Sequence, residues 1–195
     1  EHVKDMDADG LDVSILYPTV GLMIYGIPDS ELVSATFRTY NDWLAEYCRP
    51  FPTRLKGIAM INVDDVDTGV RELERGFGLG LVGAMITVFP PEDRQYDSPE
   101  YEPLWSTAQD LGMPLSLHIA TNRTGLSTSG NLQAINPVSF CNVDHWVRSS
   151  IGHIIFSGVF ERHPRLQIGS IEMDLAWVPH FLSRLDYTYT QRPLE

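Results

Sequence analysis

The chain has 195 residues, of which 43% are hydrophobic and 21% charged, a composition typical of one globular domain around a single core. Its net charge of −12 argues against a nucleic-acid surface, because phosphate binding needs clustered basic residues and the 14 lysines and arginines form no run. Cys48 and Cys141 lie too far apart for a zinc knuckle and do not suggest a disulfide framework. No apolar stretch reaches the length of about 18 residues that predicts a membrane span, and the acidic first residues are unlike a secretion signal. We therefore expect a cytoplasmic protein without membrane contact.

Short apolar runs alternate with longer amphipathic segments along the chain. The runs predict five strands, buried on both faces, over residues 11–18, 54–63, 80–89, 113–120 and 165–173. The amphipathic segments predict helices over residues 28–48, 65–78, 98–112, 143–164 and 175–191. This alternation predicts a parallel sheet with helices outside it, either an open doubly wound sheet or a closed (β/α) barrel.

Short local motifs refine this pattern. Asp29 or Ser30 is expected to cap the first of these helices and Asp64 the second, since Asp and Ser side chains accept hydrogen bonds from the first helical N–H groups. The sequence GLGLVG at residues 78–83 matches a dinucleotide-binding fingerprint in form only, because it ends a helix and enters a strand. It is better explained by turn glycines, so we do not expect nucleotide binding.

Functional side chains are expected at the carboxyl ends of the strands, where parallel α/β folds place their sites. His118 ends the fourth run, in PLSLHIATN, and is either a core histidine or a metal ligand. Glu172 ends the fifth run, in IGSIEMDLAW. A buried carboxylate there needs a function or a partner, and the alternative is a structural ion pair with an arginine.

Four further residues are candidates for substrate binding. Tyr17 ends the first run, and Asn122 follows the fourth at the start of the long polar loop of residues 121–137. Arg123 is expected either to bind a substrate carboxylate or to lie on the surface. His145 follows the loop and is expected either to approach the pocket or to be exposed.

Three stretches of the chain carry a resemblance to a known family. DMDADGLDVSILYPTVG, PLSLHIA and SGVFERHPRLQIGSIEMDLAWVPHFLSRLD resemble the amidohydrolase-related family, which includes aminocarboxymuconate-semialdehyde decarboxylase and related aromatic-acid decarboxylases and hydrolases. The resemblance covers nearly the whole chain. It implies a partial (β/α)8 TIM barrel, in which residues 1–195 form a single domain containing about strands two to six with their helices.

The resemblance also implies a chemistry. His118 matches the family's metal-binding histidine, and the cofactor expected is a divalent metal, with zinc as the first candidate. Glu172 stands where many members have a catalytic histidine, which implies an acid or base near the metal-bound water. The expected reaction is hydrolysis or non-oxidative decarboxylation of a small, aromatic acid substrate.

The family's first and last strands carry further metal ligands that have no counterpart here. The resemblance therefore implies an internal fragment, inactive alone, with only His118 of the expected ligands. Family members are commonly dimers, so a homodimer is a further expectation. The alternative from another class is a metal-free barrel remnant that binds a small ligand or a partner without catalysis.

Overall fold

A computed structural model of the chain describes residues 1–123 and 137–192. Five strands form one sheet in the order β1-β2-β3-β4-β5, and every neighbouring pair is parallel. The strands are β1 Ser14–Leu16, β2 Leu55–Met60, β3 Gly83–Ile86, β4 Leu115–His118 and β5 Ile168–Ile171. Each crossover to the next strand contains helix, as the alternating pattern of the sequence predicts.

Helices occupy the connections. They are α1 His2–Asp9, α2 Ser30–Cys48, α3 Val66–Gly78, α4 Glu102–Leu111, α5 Pro137–Cys141, α6 His145–Phe156, α7 Val159–Arg162 and α8 Val178–Gln191, with 3-10 helices at Val20–Gly26 and Pro99–Tyr101. In the described part of the chain, no helix is long and apolar enough to cross a membrane.

The strand order distinguishes the two architectures that the sequence leaves open. A doubly wound sheet reverses its strand order at a switch point, whereas these five strands follow one another without reversal. The sheet also curls, because Tyr17 at the end of β1 hydrogen-bonds Ser116 in β4, three strand spacings away at about 4.8 Å each. The five strands are therefore half of a barrel, and the prediction of a partial (β/α)8 barrel is confirmed.

Burial follows the position of each strand in the sheet. All residues of β3 and β4 are buried, and so are all but one in β2. The prediction of burial on both faces is wrong for β1 and β5, which are half-buried or exposed because each has only one neighbouring strand.

The core packs the sheet against its helices. The larger cluster includes Leu44, Leu73, Trp105 and Ile154, one from each of α2, α3, α4 and α6. A smaller cluster joins Tyr25 of the first 3-10 helix to α2 and the middle strands. These contacts fix the strands whose carboxyl ends carry the candidate site.

The helices differ from the sequence prediction in three places. Asp29 caps α2 as predicted, but α3 is capped by Asp65 rather than Asp64, since Asp65 Oδ1 accepts from Thr68 N at 2.7 Å. The predicted helix 143–164 is interrupted by Gly158 in a left-handed conformation, which separates α6 from α7. Helix α1 is not predicted, because its sequence is polar and buries only Met6.

Candidate metal and substrate site

His118 is the last residue of β4 and pairs in register with Ile171 of β5. Its side chain is only 6% exposed, and Nδ1 lies 3.0 Å from the carbonyl oxygen of Ile119. Because a carbonyl can only accept, this hydrogen bond places the proton on Nδ1. In the neutral imidazole the lone pair of Nε2 is then available, and this is the form in which an imidazole binds a metal.

Glu172 follows directly after β5 and faces this lone pair. Its Oε2 lies 3.6 Å from Nε2 of His118. The side chain is 70% exposed and the backbone is left-handed with φ 62°, so the expectation of a buried carboxylate is wrong. The alternative of an ion pair with an arginine is also wrong, because within residues 1–123 and 137–192 the ionic contact of Glu172 is with His118 and not with an arginine.

Tyr17, directly after β1, completes the contacts around the imidazole. Its ring centroid lies 5.6 Å from that of His118, and its hydroxyl lies 2.8 Å from Ser116 Oγ. Ser116 precedes His118 by two residues, so the two side chains point to the same face of β4. Residues from β1, β4 and β5 therefore meet at one point, which the curl of the sheet brings together.

Arg123 is buried rather than on the surface, with a side chain only 3% exposed. Its Nε donates to Asp64 Oδ1 at 3.0 Å, and its Nη2 donates to the other oxygen of that carboxylate. Nη1 donates to the carbonyls of Tyr25 at 2.6 Å and Ile27 at 2.8 Å. Burial raises the pKa of the Tyr25 hydroxyl, which stays protonated and donates to the Met85 carbonyl at 2.8 Å.

The two remaining candidates lie at the edges of this group. Asn122 is half-buried beside Arg123. His145 is exposed at the start of α6, where its ring packs edge-on against Trp146 with centroids 4.7 Å apart. Trp146 in turn packs on Phe89 after β3, so His145 is joined to the carboxyl end of the sheet through Trp146. Most of the polar loop, residues 124–136, falls outside the described residues.

Sequence reasoning missed three side chains that the structure brings to this region. The sequence could have identified Ser116, because side chains two residues apart in a strand lie on the same face, and Ser116 is two residues before His118. Asp64 was assigned to a helix cap, which hid its pairing with Arg123, 59 residues away. Thr121 had a signal in its place just after the fourth apolar run, but its contacts with Thr87 and Val88 after β3 could not be predicted from one segment.

The donor set suits a divalent metal, as far as the described residues extend. When the His118 ring is neutral, Nε2 is an acceptor that lies 3.6 Å from Oε2 of Glu172, and a cation between these two atoms would bind both. Within residues 1–123 and 137–192, no group of three or more potential ligands occurs. The described residues thus supply two donors, fewer than the three typical of a catalytic site.

The fold and this cluster define a (β/α)-barrel protein with a polar site at the carboxyl ends of its strands. The sequence profile of the Amidohydrolase family matches residues 3–192, and the chain belongs to that family. This confirms the resemblance carried by the sequence motifs.

Several characterised proteins are similar to this chain. A gamma-resorcylate decarboxylase from Rhizobium radiobacter is 31% identical, over 95% of this chain and 58% of its own length. The crystal structure of a 2,6-dihydroxybenzoate decarboxylase from Rhizobium superposes with TM-score 0.77 and 28% identity, over 100% of this chain and 61% of that one. A dihydroxybenzoic acid decarboxylase from Polaromonas sp. JS666, solved with bound manganese and the inhibitor 2-nitroresorcinol, gives TM-score 0.77 and 29% identity, over 99% of this chain and 59% of that one. The chain thus spans about three fifths of the length of these relatives.

Proposed function

We propose that this chain carries part of the active site of a divalent-metal-dependent decarboxylase that acts on a small aromatic acid. The observation that supports this most strongly is the free Nε2 lone pair of His118, which faces the Glu172 carboxylate at 3.6 Å on the carboxyl edge of the barrel. Membership of the Amidohydrolase family supports the reaction class, since the relatives compared above are aromatic-acid decarboxylases.

In this proposal His118 binds the metal through Nε2. Of the two candidate donors, Glu172 acts in its protonated form as the acid beside the metal rather than as a ligand to it. A divalent metal, when bound, would neutralise and orient the acidic substrate. As the bond between the ring and the carboxylate breaks and CO2 leaves, the ring carbon keeps the electron pair and takes a proton from the Glu172 carboxyl group. The side chain regains its proton from water, to which it is 70% exposed.

Substrate contacts are proposed for the residues around this pair. Tyr17 offers an aromatic ring beside His118, suited to a flat substrate. Asn122 and His145 stay predictions as substrate-binding residues. Arg123 also stays a prediction, although its guanidinium already donates to Asp64 and to two carbonyls, which favours a role within the protein.

Hydrolysis is the competing reaction, and a metal-free ligand-binding barrel is the competing class. The first has support from the family name, and the second from the finding that the described residues supply only two candidate metal donors. Manganese in the Polaromonas relative favours Mn²⁺ over the Zn²⁺ expected from the resemblance. Dimerisation and a cytoplasmic location remain predictions.

The test uses the protein expressed from its complete reading frame, with His118→Ala, Glu172→Gln and, as a matched control, His153→Gln. His153 lies on α6, where it pairs with Asp97 and makes no contact with His118. Metal content is measured by plasma mass spectrometry after loading with Mn²⁺ or Zn²⁺. CO2 release is measured with a panel of hydroxybenzoic acids, and hydrolysis is measured with the esters and amides of the same acids.

We expect one divalent ion per chain in the wild type and the control, and its loss in His118→Ala. Glu172→Gln is expected to keep the metal and to lose about 10²- to 10⁴-fold in turnover, the usual contribution of a general acid. Release of a hydrolysis product without CO2 would show that the protein is a hydrolase and not a decarboxylase. Wild-type protein that binds no metal and releases no CO2 would support the non-catalytic barrel.

A further inference from the structure

The backbone that follows His118 adopts an unusual conformation. Ala120, two residues after His118, has φ 66°, in the left-handed region that residues with a side chain rarely adopt. Such a conformation persists only where surrounding contacts hold it. The contacts around this turn therefore show what fixes the His118 imidazole.

The first contacts come from Thr121, which is fully buried. Its hydroxyl donates to the carbonyl of His118 at 2.7 Å and accepts from Val88 N at 2.7 Å. The Thr87 hydroxyl donates to the carbonyl of Thr121. These bonds tie the turn after β4 to the carboxyl end of β3.

The second set of contacts comes from Arg123. Its backbone N–H donates to the carbonyl of Phe89 at 2.9 Å, and its side chain forms the bidentate pair with Asp64. Asp64 lies beyond the end of β2, and the carbonyls that receive Nη1 lie at and just after the 3-10 helix that follows β1. One guanidinium thus joins the segment after β4 to the segments after β1 and β2.

We propose that Asp64 and Arg123 are positioning residues for the metal site. Their ion pair, in which Arg123 is buried and Asp64 half-buried, holds the left-handed turn at Ala120, so that the His118 ring keeps its Nδ1 hydrogen bond to Ile119 and directs Nε2 toward Glu172. Without the pair, the turn relaxes to an ordinary backbone conformation and the ring loses its fixed tautomer and direction. This inference rests on the proposed function only in treating Nε2 as a metal ligand.

The variants are Asp64→Asn, which removes the charge with little change of shape, and Arg123→Lys, which keeps the charge but loses the forked geometry. The matched control is Glu102→Gln. It breaks contacts with Arg162 and His163 that link α4 to α7 and touch nothing near β4.

The tautomer of His118 is read from imidazole nitrogen-15 shifts of the metal-free protein from the complete reading frame, with the signal assigned by a His118→Asn variant. Dissociation constants for Mn²⁺ and Zn²⁺ are measured by calorimetry, and unfolding by circular dichroism.

We expect the wild type and Glu102→Gln to show one His118 tautomer, with the proton on Nδ1. Asp64→Asn is expected to show mixed tautomers and metal binding weakened by about 10- to 100-fold, the usual effect of removing an outer-shell partner. For Arg123→Lys we expect a tautomer mixture and a metal affinity between those of the wild type and Asp64→Asn. If Asp64→Asn does not fold, the same measurements on Arg123→Lys test the positioning role.

Folded variants with the wild-type tautomer and unchanged metal affinity would overturn the positioning role while leaving the proposed function intact. A wild type that binds neither metal would overturn the metal site. In that case the His118 tautomer is compared between the wild type and Asp64→Asn, and an unchanged tautomer would overturn the inference that the ion pair positions the ring.

Discussion

The hydrogen bond between Tyr17 and Ser116 provides a quantitative test of how the curled sheet is held near His118. The two hydroxyls lie 2.8 Å apart, and their residues are 99 positions apart in sequence. Ser116 is 4% exposed, whereas Tyr17 is half-buried. The loss in the free energy of unfolding should therefore depend on which of the two hydroxyls is removed.

Tyr17→Phe leaves a buried Ser116 hydroxyl without this partner, and we expect a loss of about 1 to 2 kcal/mol in the free energy of unfolding. Ser116→Ala leaves the Tyr17 hydroxyl close to water, so we expect a smaller loss, about 0.5 kcal/mol. The double variant removes both groups together and should lose about 1 kcal/mol less than the sum of the two single losses. For a chain of this size, 1 kcal/mol corresponds to about 2 to 4 °C in Tm.

The assay is urea unfolding of the four proteins, followed by circular dichroism and compared at constant m-value. Losses that add within about 0.3 to 0.5 kcal/mol would refute a hydrogen bond across the sheet. Steady-state kinetics on the whole protein tests whether the Tyr17 hydroxyl has a further role in substrate binding. If the Tyr17 hydroxyl also contacts substrate, Tyr17→Phe raises KM and Ser116→Ala does not.

Three further outcomes follow from the same structure. Asp65→Ala should destabilise the protein by about 1 kcal/mol in thermal unfolding, because it removes the cap on α3, and a stability equal to wild type would contradict that cap. Hydrogen bonds from the Thr68 side chain and N–H hold the pKa of Asp65 below its usual value, so this residue contributes stability above its unfolded pKa that is lost as the pH falls through the lower folded pKa. Asp65→Asn, which retains the cap, should therefore lose less stability than wild type on acidification below about pH 4, and parallel pH profiles would count against this. Gly69→Ala should lower the midpoint of urea unfolding by an amount equivalent to about 1 to 3 kcal/mol, because the added Cβ would lie 2.8 Å from the backbone oxygen of Asn62, and a neutral effect would show that α3 can shift.

The sequence predicted most of the architecture because its periodicity is local. Five apolar runs and the helices between them gave the parallel sheet, and the resemblance gave the half-barrel. Helix α1 was missed because only Met6 in it is buried, which leaves no apolar pattern to detect. The long helix predicted over residues 143–164 was wrong at Gly158, whose left-handed backbone ends the helix although the apolar pattern continues.

Some features of the candidate site could likewise be predicted from the sequence, and others could not. The sequence by itself placed His118 and Glu172 at the carboxyl ends of two strands, and the carboxyl ends of parallel strands share one edge of the sheet. The tertiary structure decided that these two strands are neighbours. Only the tertiary structure decided that Glu172 is exposed, that Arg123 is buried against Asp64, and that Tyr17 reaches Ser116 from three strands away. These facts depend on the curl of the sheet and on hydrogen bonds between distant segments, which no periodicity within one segment encodes.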